Sequence, residues 1–175
     1  MKNFGFAGYD NVIYIGTNGK MTEVCAAMGL TGLESLEDFI NVNRRNYMHY
    51  KHELHAIPGI QLMTYDETEQ CNYQYIILEV DESITGVSRD QLVQILQAEN
   101  VLARRYFYPG CHNMEPYRSY FPHAKLMLPE TEKLVQRLLA LPTGTAVEPG
   151  DITGVCQIIR LVVEHGADIR RRLLG

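Results

Sequence analysis

The sequence predicts an α/β chain in which a helical segment precedes a layer of strands backed by helices. Three observations predict it. Short β-rich runs are set off by glycine, proline and acidic residues, apolar residues recur at helical spacing between them, and helices come first with strands and helices interleaved after. No internal repeat or low-complexity linker breaks this order.

Along the chain, the β-prone run Val12, Ile13, Tyr14 and Ile15 leads into the turn Gly16-Thr17-Asn18-Gly19. Thr22 then has the side chain to cap a helix. That helix, through Leu33, carries small residues at Cys25, Ala26, Ala27, Gly29 and Gly32. Its glycines cost roughly 1 kcal/mol each in helix propensity, so close packing against a neighbour is expected to compensate.

A second helix is expected from Leu36 to Ala56, because Leu36, Phe39, Ile40, Asn43, Tyr47, Tyr50 and Leu54 share helical spacing, and Pro58-Gly59 ends it. Two strands follow, Ile60 to Tyr65 and Tyr73 to Val80. The second is apolar on both alternating faces, which predicts a covered, central strand.

Ser88-Arg89-Asp90-Gln91 has the pattern of a capping box opening a helix through Gln97, with Leu92, Ile95 and Leu96 as its buried stripe. Val101 to Tyr108 reads as a third strand, broken at Pro109-Gly110 before an irregular stretch rich in Tyr, Pro and His. Pro129 starts a helix with Glu130 and Glu132 in its first turn, and Pro142 stops it after Leu138, Leu139 and Leu141. Pro149 starts the last helix, striped by Ile152, Val155, Cys156, Ile159, Val162 and Val163, with Arg170, Arg171 and Arg172 at its C-terminal end.

At 175 residues, 46% of them apolar, the chain can bury one sizeable core. A net charge of −5 supplies no broad positive field, which argues against a nucleic-acid partner. The four cysteines form no CxxC pair or dense framework, as expected of reduced thiols in the cytoplasm. No apolar run approaches the ~20 residues of a membrane span, so no membrane partner is expected. The opening, glycine- and aromatic-rich without a cap, reads like the interior of a larger domain.

Several chemical motifs compete with structural readings. Gly19-Lys20 invites a phosphate-binding loop, but Tyr14 stands where its first glycine is needed and Met21 where Ser or Thr would bind magnesium. His49, His52 and His55 recur on one helix, yet no cysteine or carboxylate set at ligand spacing joins them, so no metal site is expected. Cys111 and His112 are adjacent, which does not by itself bring thiolate and imidazole into catalytic geometry. The stretch Arg104 to His112 mixes cations, phenols and an imidazole beside a break, a surface suited to an anionic, hydroxyl-rich ligand. The structural alternative is a strand with two snorkelling arginines and an aromatic cluster.

One resemblance runs through the whole chain. Gly16, Asn18, Met21, Glu23, Ala26, Ala27, Gly29 and Leu30, followed by Leu33 and Leu36, resemble the GxNxxM-x-E-x-x-A-A-x-G-L segment of the DegT/StrS sugar aminotransferases. Arg45 and Tyr50 match its R-x-x-x-x-Y continuation, with Arg44 beside them. Tyr108, Pro109 and His112, then Leu128-Pro129 and Leu139-Ala140-Leu141-Pro142, resemble the later part of the same family.

The resemblance implies the C-terminal half of a fold type I enzyme. Residues 1–19 would be a remnant of the large cofactor domain, 20–56 connecting helices, and 57–175 a small domain with a mainly antiparallel sheet backed by helices. It implies a dependence on pyridoxal phosphate and transfer of an amino group, from glutamate or a similar amino acid, to a nucleotide-linked keto sugar. It implies a homodimer, or a partner in the missing N-terminal half, and places Asn18 on the cofactor phosphate of a neighbouring subunit. Lys20 and His112 would lie on the sugar-nucleotide side. The family's Schiff-base lysine lies upstream of the matched segment, and Lys20, Lys51, Lys125 and Lys133 show no setting in sequence that would replace it. No catalytic residue is therefore assigned, and the chain alone is expected to be inactive. A non-catalytic α/β module for binding or dimerisation is the alternative.

Overall fold

A computed structural model describes residue 7 and residues 13–174, with side chains in the last helix described to Arg172. The chain divides into two compact units, Met1–Asp38 and Phe39–Gly175. Within the first, Val12 lies outside the described residues, and Ile13, Tyr14 and Ile15 form no strand. Helix α1, Glu23–Glu34, begins at Thr22, whose side chain accepts a hydrogen bond from the Cys25 amide at 3.3 Å. No residue of α1 is buried, although Ala26 is only partly exposed. Val24, Met28, Leu30 and Leu33 are spread around the helix and exposed.

Helix α2, Leu36–Leu54, turns Asn46, Tyr47, Tyr50 and Leu54 into the core of the second unit, at the spacing the sequence shows. Strands β1, Ile60–Leu62, and β2, Ile76–Val80, pair antiparallel with Ile60 opposite Val80. Both are shorter than the sequence suggests. Tyr73 adopts a positive φ of 50°, which turns the chain out of extended geometry before Ile76.

Helix α3, Glu82–Thr85, ends at Gly86 in the left-handed region, φ 72°. Helix α4, Arg89–Ala98, has the capping box expected of Ser88 and Gln91, each bonding back to the other's backbone. Its buried side chains are Arg89, Leu92, Val93 and Leu96. The strand expected from Val101 to Tyr108 shrinks to β3, Arg104–Arg105. The Ala103 amide donates to the Val101 carbonyl in a tight turn on one side, and Phe107 takes a φ of 42° on the other.

After a 3-10 turn at Cys111–Asn113, the stretch expected to be irregular folds into two short helices, α5, Tyr117–Tyr120, and α6, Ala124–Met127. Helix α7, Pro129–Arg137, stops four residues earlier than the sequence predicts. Leu138–Leu141 is a strand, β4, with Leu139 and Leu141 buried and the intervening Ala140 less so. A leucine-rich run fits helix and strand alike. What decides is β2, a central strand with a free edge that β4 pairs, Ile76 opposite Leu141.

The sheet runs β1-β2-β4-β3 with all pairs antiparallel. This agrees with the small antiparallel sheet backed by helices that the resemblance implies. The last helix divides into α8, Pro149–Glu164, and α9, Gly166–Leu174, at His165. Ile152, Val155, Cys156, Ile159 and Val162 from α8 close the core against Ile76, Leu78, Leu92 and Leu139. Each fully buried side chain of this kind contributes about 1.5–3 kcal/mol.

Candidate functional site

The loop between β3 and α7 holds the densest set of polar contacts near the residues singled out in sequence. Gly110, at φ 94°, turns the chain so that His112 folds back over it. His112 Nε2 lies 2.6 Å from Glu132 Oε1 in the first turn of α7. The Asn113 amide donates to the same oxygen at 2.7 Å and to the Pro109 carbonyl at 2.9 Å. Lys125 on α6 reaches the other oxygen, Oε2, at 3.4 Å. These contacts, the His112 bond first, then those from Asn113 and Lys125, hold the Glu132 carboxyl below the ordinary glutamate range. Glu132 thus draws the loop, α6 and α7 onto one carboxylate. Cys111 is exposed beside His112, but the imidazole is engaged by Glu132 instead.

Arginines organise the start of the same loop. The guanidinium of Arg89, its side chain wholly buried, donates to Asp90 Oδ1 at 2.6 Å and to the Leu138 carbonyl. It lies 5.3 Å from the centre of the Tyr108 ring, and the exposed Arg105 lies 4.3 Å from it. Arg104, Arg105, Tyr108, Asp90, Gln94 and Gln97 line a polar groove of about 460 Å3. Arg104 and Arg105 are both exposed, while the buried guanidinium, that of Arg89, comes from outside this stretch.

Asn18 and Lys20 belong to the first unit and His112 to the second. Asn18 and Lys20 are both exposed. Of the three histidines, His49 meets Thr153 Oγ1 at 2.9 Å and the His55 ring meets the His52 carbonyl at 2.6 Å, while His49 and His52 lie 3.9 and 3.7 Å from Glu53 Oε1. Among the described residues, no group of three His, Cys, Asp or Glu side chains converges on a metal-sized space. Nor is any helix among them long and apolar enough to cross a membrane.

Arg45 and Tyr50 serve the fold. Arg45 bonds Asn46 and the Val147 carbonyl, and Tyr50 donates to the Pro142 carbonyl, so both fasten the turn after β4. Sequence reasoning did not single out Glu132 or Asn113. Glu132 reads as a helix-dipole carboxylate, and nothing in the sequence links it to a histidine twenty positions earlier.

The profile of the DegT/DnrJ/EryC1/StrS aminotransferase family matches residues 1–160. The chain belongs to this family. An Escherichia coli dTDP-4-amino-4,6-dideoxy-D-glucose transaminase is 31% identical over 159 residues, 91% of this chain and 43% of its own. The crystal structure of DesI with its TDP-sugar product superposes with a TM-score of 0.88 at 44% identity, covering 99% of this chain and 43% of that one. The crystal structure of S. venezuelae DesV in complex with a ketimine intermediate shares the fold at a TM-score of 0.80 and 21% identity, over 93% of this chain and 42% of its own. This family member thus spans less than half the length of the relatives it matches.

The family implies pyridoxal phosphate, and the described residues do not fit its covalent site. Lys20 is exposed, and Lys51, Lys125 and Lys133 are exposed and paired with Glu67, Glu132 and Glu130 at 3.4, 3.4 and 2.8 Å. A Schiff-base lysine needs a sheltered setting against the ring, which none of these has. No chemical step through the cofactor is assigned to this chain. Asn18 is exposed and carries a neutral side-chain amide, a group able to donate to an anion.

Proposed function

We propose that the chain is the C-terminal portion of a pyridoxal-phosphate-dependent aminotransferase that moves an amino group from an amino acid such as glutamate to a nucleotide-linked keto sugar. The likeness to DesI over nearly the whole chain carries this reading. In it, residues 1–19 continue the cofactor domain, 20–56 connect, and 57–175 form the small domain. The exposed apolar residues of α1 are covered in the complete, dimeric assembly, which works in the cytoplasm.

Each assigned residue has a limited part. Asn18 donates to the cofactor phosphate across the subunit boundary, Lys20 offers a cation to the sugar nucleotide, and His112 lines the sugar side. The exposed, ion-paired lysines favour a second reading for the chain by itself, a non-catalytic module for binding or dimerisation.

Mixed dimers of the completed enzyme test the cross-subunit role. An Asn18→Ala chain is joined to one lacking the cofactor lysine, and retention at the intact lysine site is measured. Loss of a hydrogen bond to a charged group weakens retention by about 1.5–3 kcal/mol, roughly one to two decades, when the neighbour alone carries the substitution. Normal retention in that dimer would remove Asn18 from the phosphate site.

A further inference from the structure

We infer that Glu132 is a positioning residue that fixes the proton of His112 on Nε2, leaving Nδ1 as the nitrogen through which this imidazole meets a ligand. The inference rests on an accounting of donors and acceptors. The Asn113 side-chain amide has two hydrogens. One goes to the Pro109 carbonyl at 2.9 Å and the other to Glu132 Oε1 at 2.7 Å. Rotating the amide would set its oxygen against two acceptors, so its orientation is determined.

No Asn113 hydrogen is therefore left for His112 Nε2, although the two nitrogens are 3.1 Å apart. The remaining partner of Nε2 is Glu132 Oε1 at 2.6 Å. An ionised carboxylate can only accept, and Glu132 is kept ionised by His112, Asn113 and Lys125 together. The hydrogen must then sit on Nε2.

Nδ1 has no hydrogen-bond partner among the described residues, and the imidazole keeps a side-chain exposure of 9%. Gly110 preserves the space: a Cβ there would fall 2.8 Å from Cε1 and 3.1 Å from Nδ1. The charged groups facing the pair are Glu132 from α7 and Lys125 from α6. With its hydrogen on Nε2, the uncharged form of the ring offers a lone pair at Nδ1, which suits a hydroxyl of a sugar better than a phosphate oxygen. That choice of ligand group rests on the function proposed above; the position of the proton does not.

Nitrogen-15 NMR of the imidazole, recorded on the chain across pH, tests it. In the neutral ring Nε2 should carry a hydrogen protected from exchange and Nδ1 none. Glu132→Ala should speed exchange of that hydrogen about tenfold or more, as loss of a bond to a charged group implies. Glu132→Gln, whose amide oxygen still accepts, should restore much of the protection. A neutral ring protonated on Nδ1, or protection that survives Glu132→Ala, would overturn the inference. A wrong functional reading would leave all these spectra as described, so the two failures are distinct.

Discussion

The Tyr50 hydroxyl donates to the Pro142 carbonyl at 3.0 Å, tying the middle of α2 to the turn that leaves β4. Burial pushes this phenol far above its ordinary pKa, so it remains a donor at any pH the fold survives. Tyr50→Phe keeps the ring and removes only the bond. Denaturant unfolding should show a loss of about 0.5–1.5 kcal/mol with an unchanged m-value.

Glu132 should make stability depend on pH in acid. Its folded pKa is depressed, by His112 first and then by Asn113 and Lys125, so its contribution is complete above the unfolded value and is lost as pH falls through the folded one. The gap in melting midpoint between the native chain and Glu132→Gln should be full near neutrality and close below the ordinary glutamate range. A gap that stays constant through that range would remove the linkage.

Two glycines of the C-terminal helices should respond to alanine with opposite signs. A Cβ at Gly166 would run into the Thr85 carbonyl oxygen and the Gly86 backbone, so Gly166→Ala should destabilise by about 1–3 kcal/mol. Gly154 lies inside α8 with nothing within 4 Å of an added Cβ, and Gly154→Ala should stabilise by about 0.4–1 kcal/mol. Thermal unfolding of the two variants checks both signs.

The sequence made legible what depends on local chemistry. The Thr22 and Ser88 caps, the α2 stripe through Tyr47, Tyr50 and Leu54, and the covered central strand β2 all follow from side chains acting on their own segment. What depended on distant partners was hidden. Leu138–Leu141 could extend α7 or pair with β2, and only the sheet edge decides. Arg104–Arg105 is the strand within a longer β-prone run, with the Tyr106 amide still bonding the Leu138 carbonyl before positive φ at Phe107 ends it. His112 could be named from a motif, whereas its hold by Glu132 and Asn113 arises from a loop closing over twenty residues.

The exposed, paired lysines predict that the isolated chain forms no specific imine with pyridoxal phosphate. Borohydride trapping followed by peptide mapping should give at most scattered, substoichiometric labelling. One stoichiometric adduct, at Lys20 for example, would mean that a sheltered lysine site exists after all.

The central claim is that this chain supplies the C-terminal portion of a sugar aminotransferase. It is tested most directly by fusing the chain to the remainder of DesI, in place of the DesI segment it matches, and measuring amino transfer from glutamate to a dTDP-linked keto sugar. The fusion should hold pyridoxal phosphate and form the amino sugar, while the chain alone does neither. A folded fusion that holds the cofactor yet transfers no amino group to any dTDP-linked keto sugar would contradict the account.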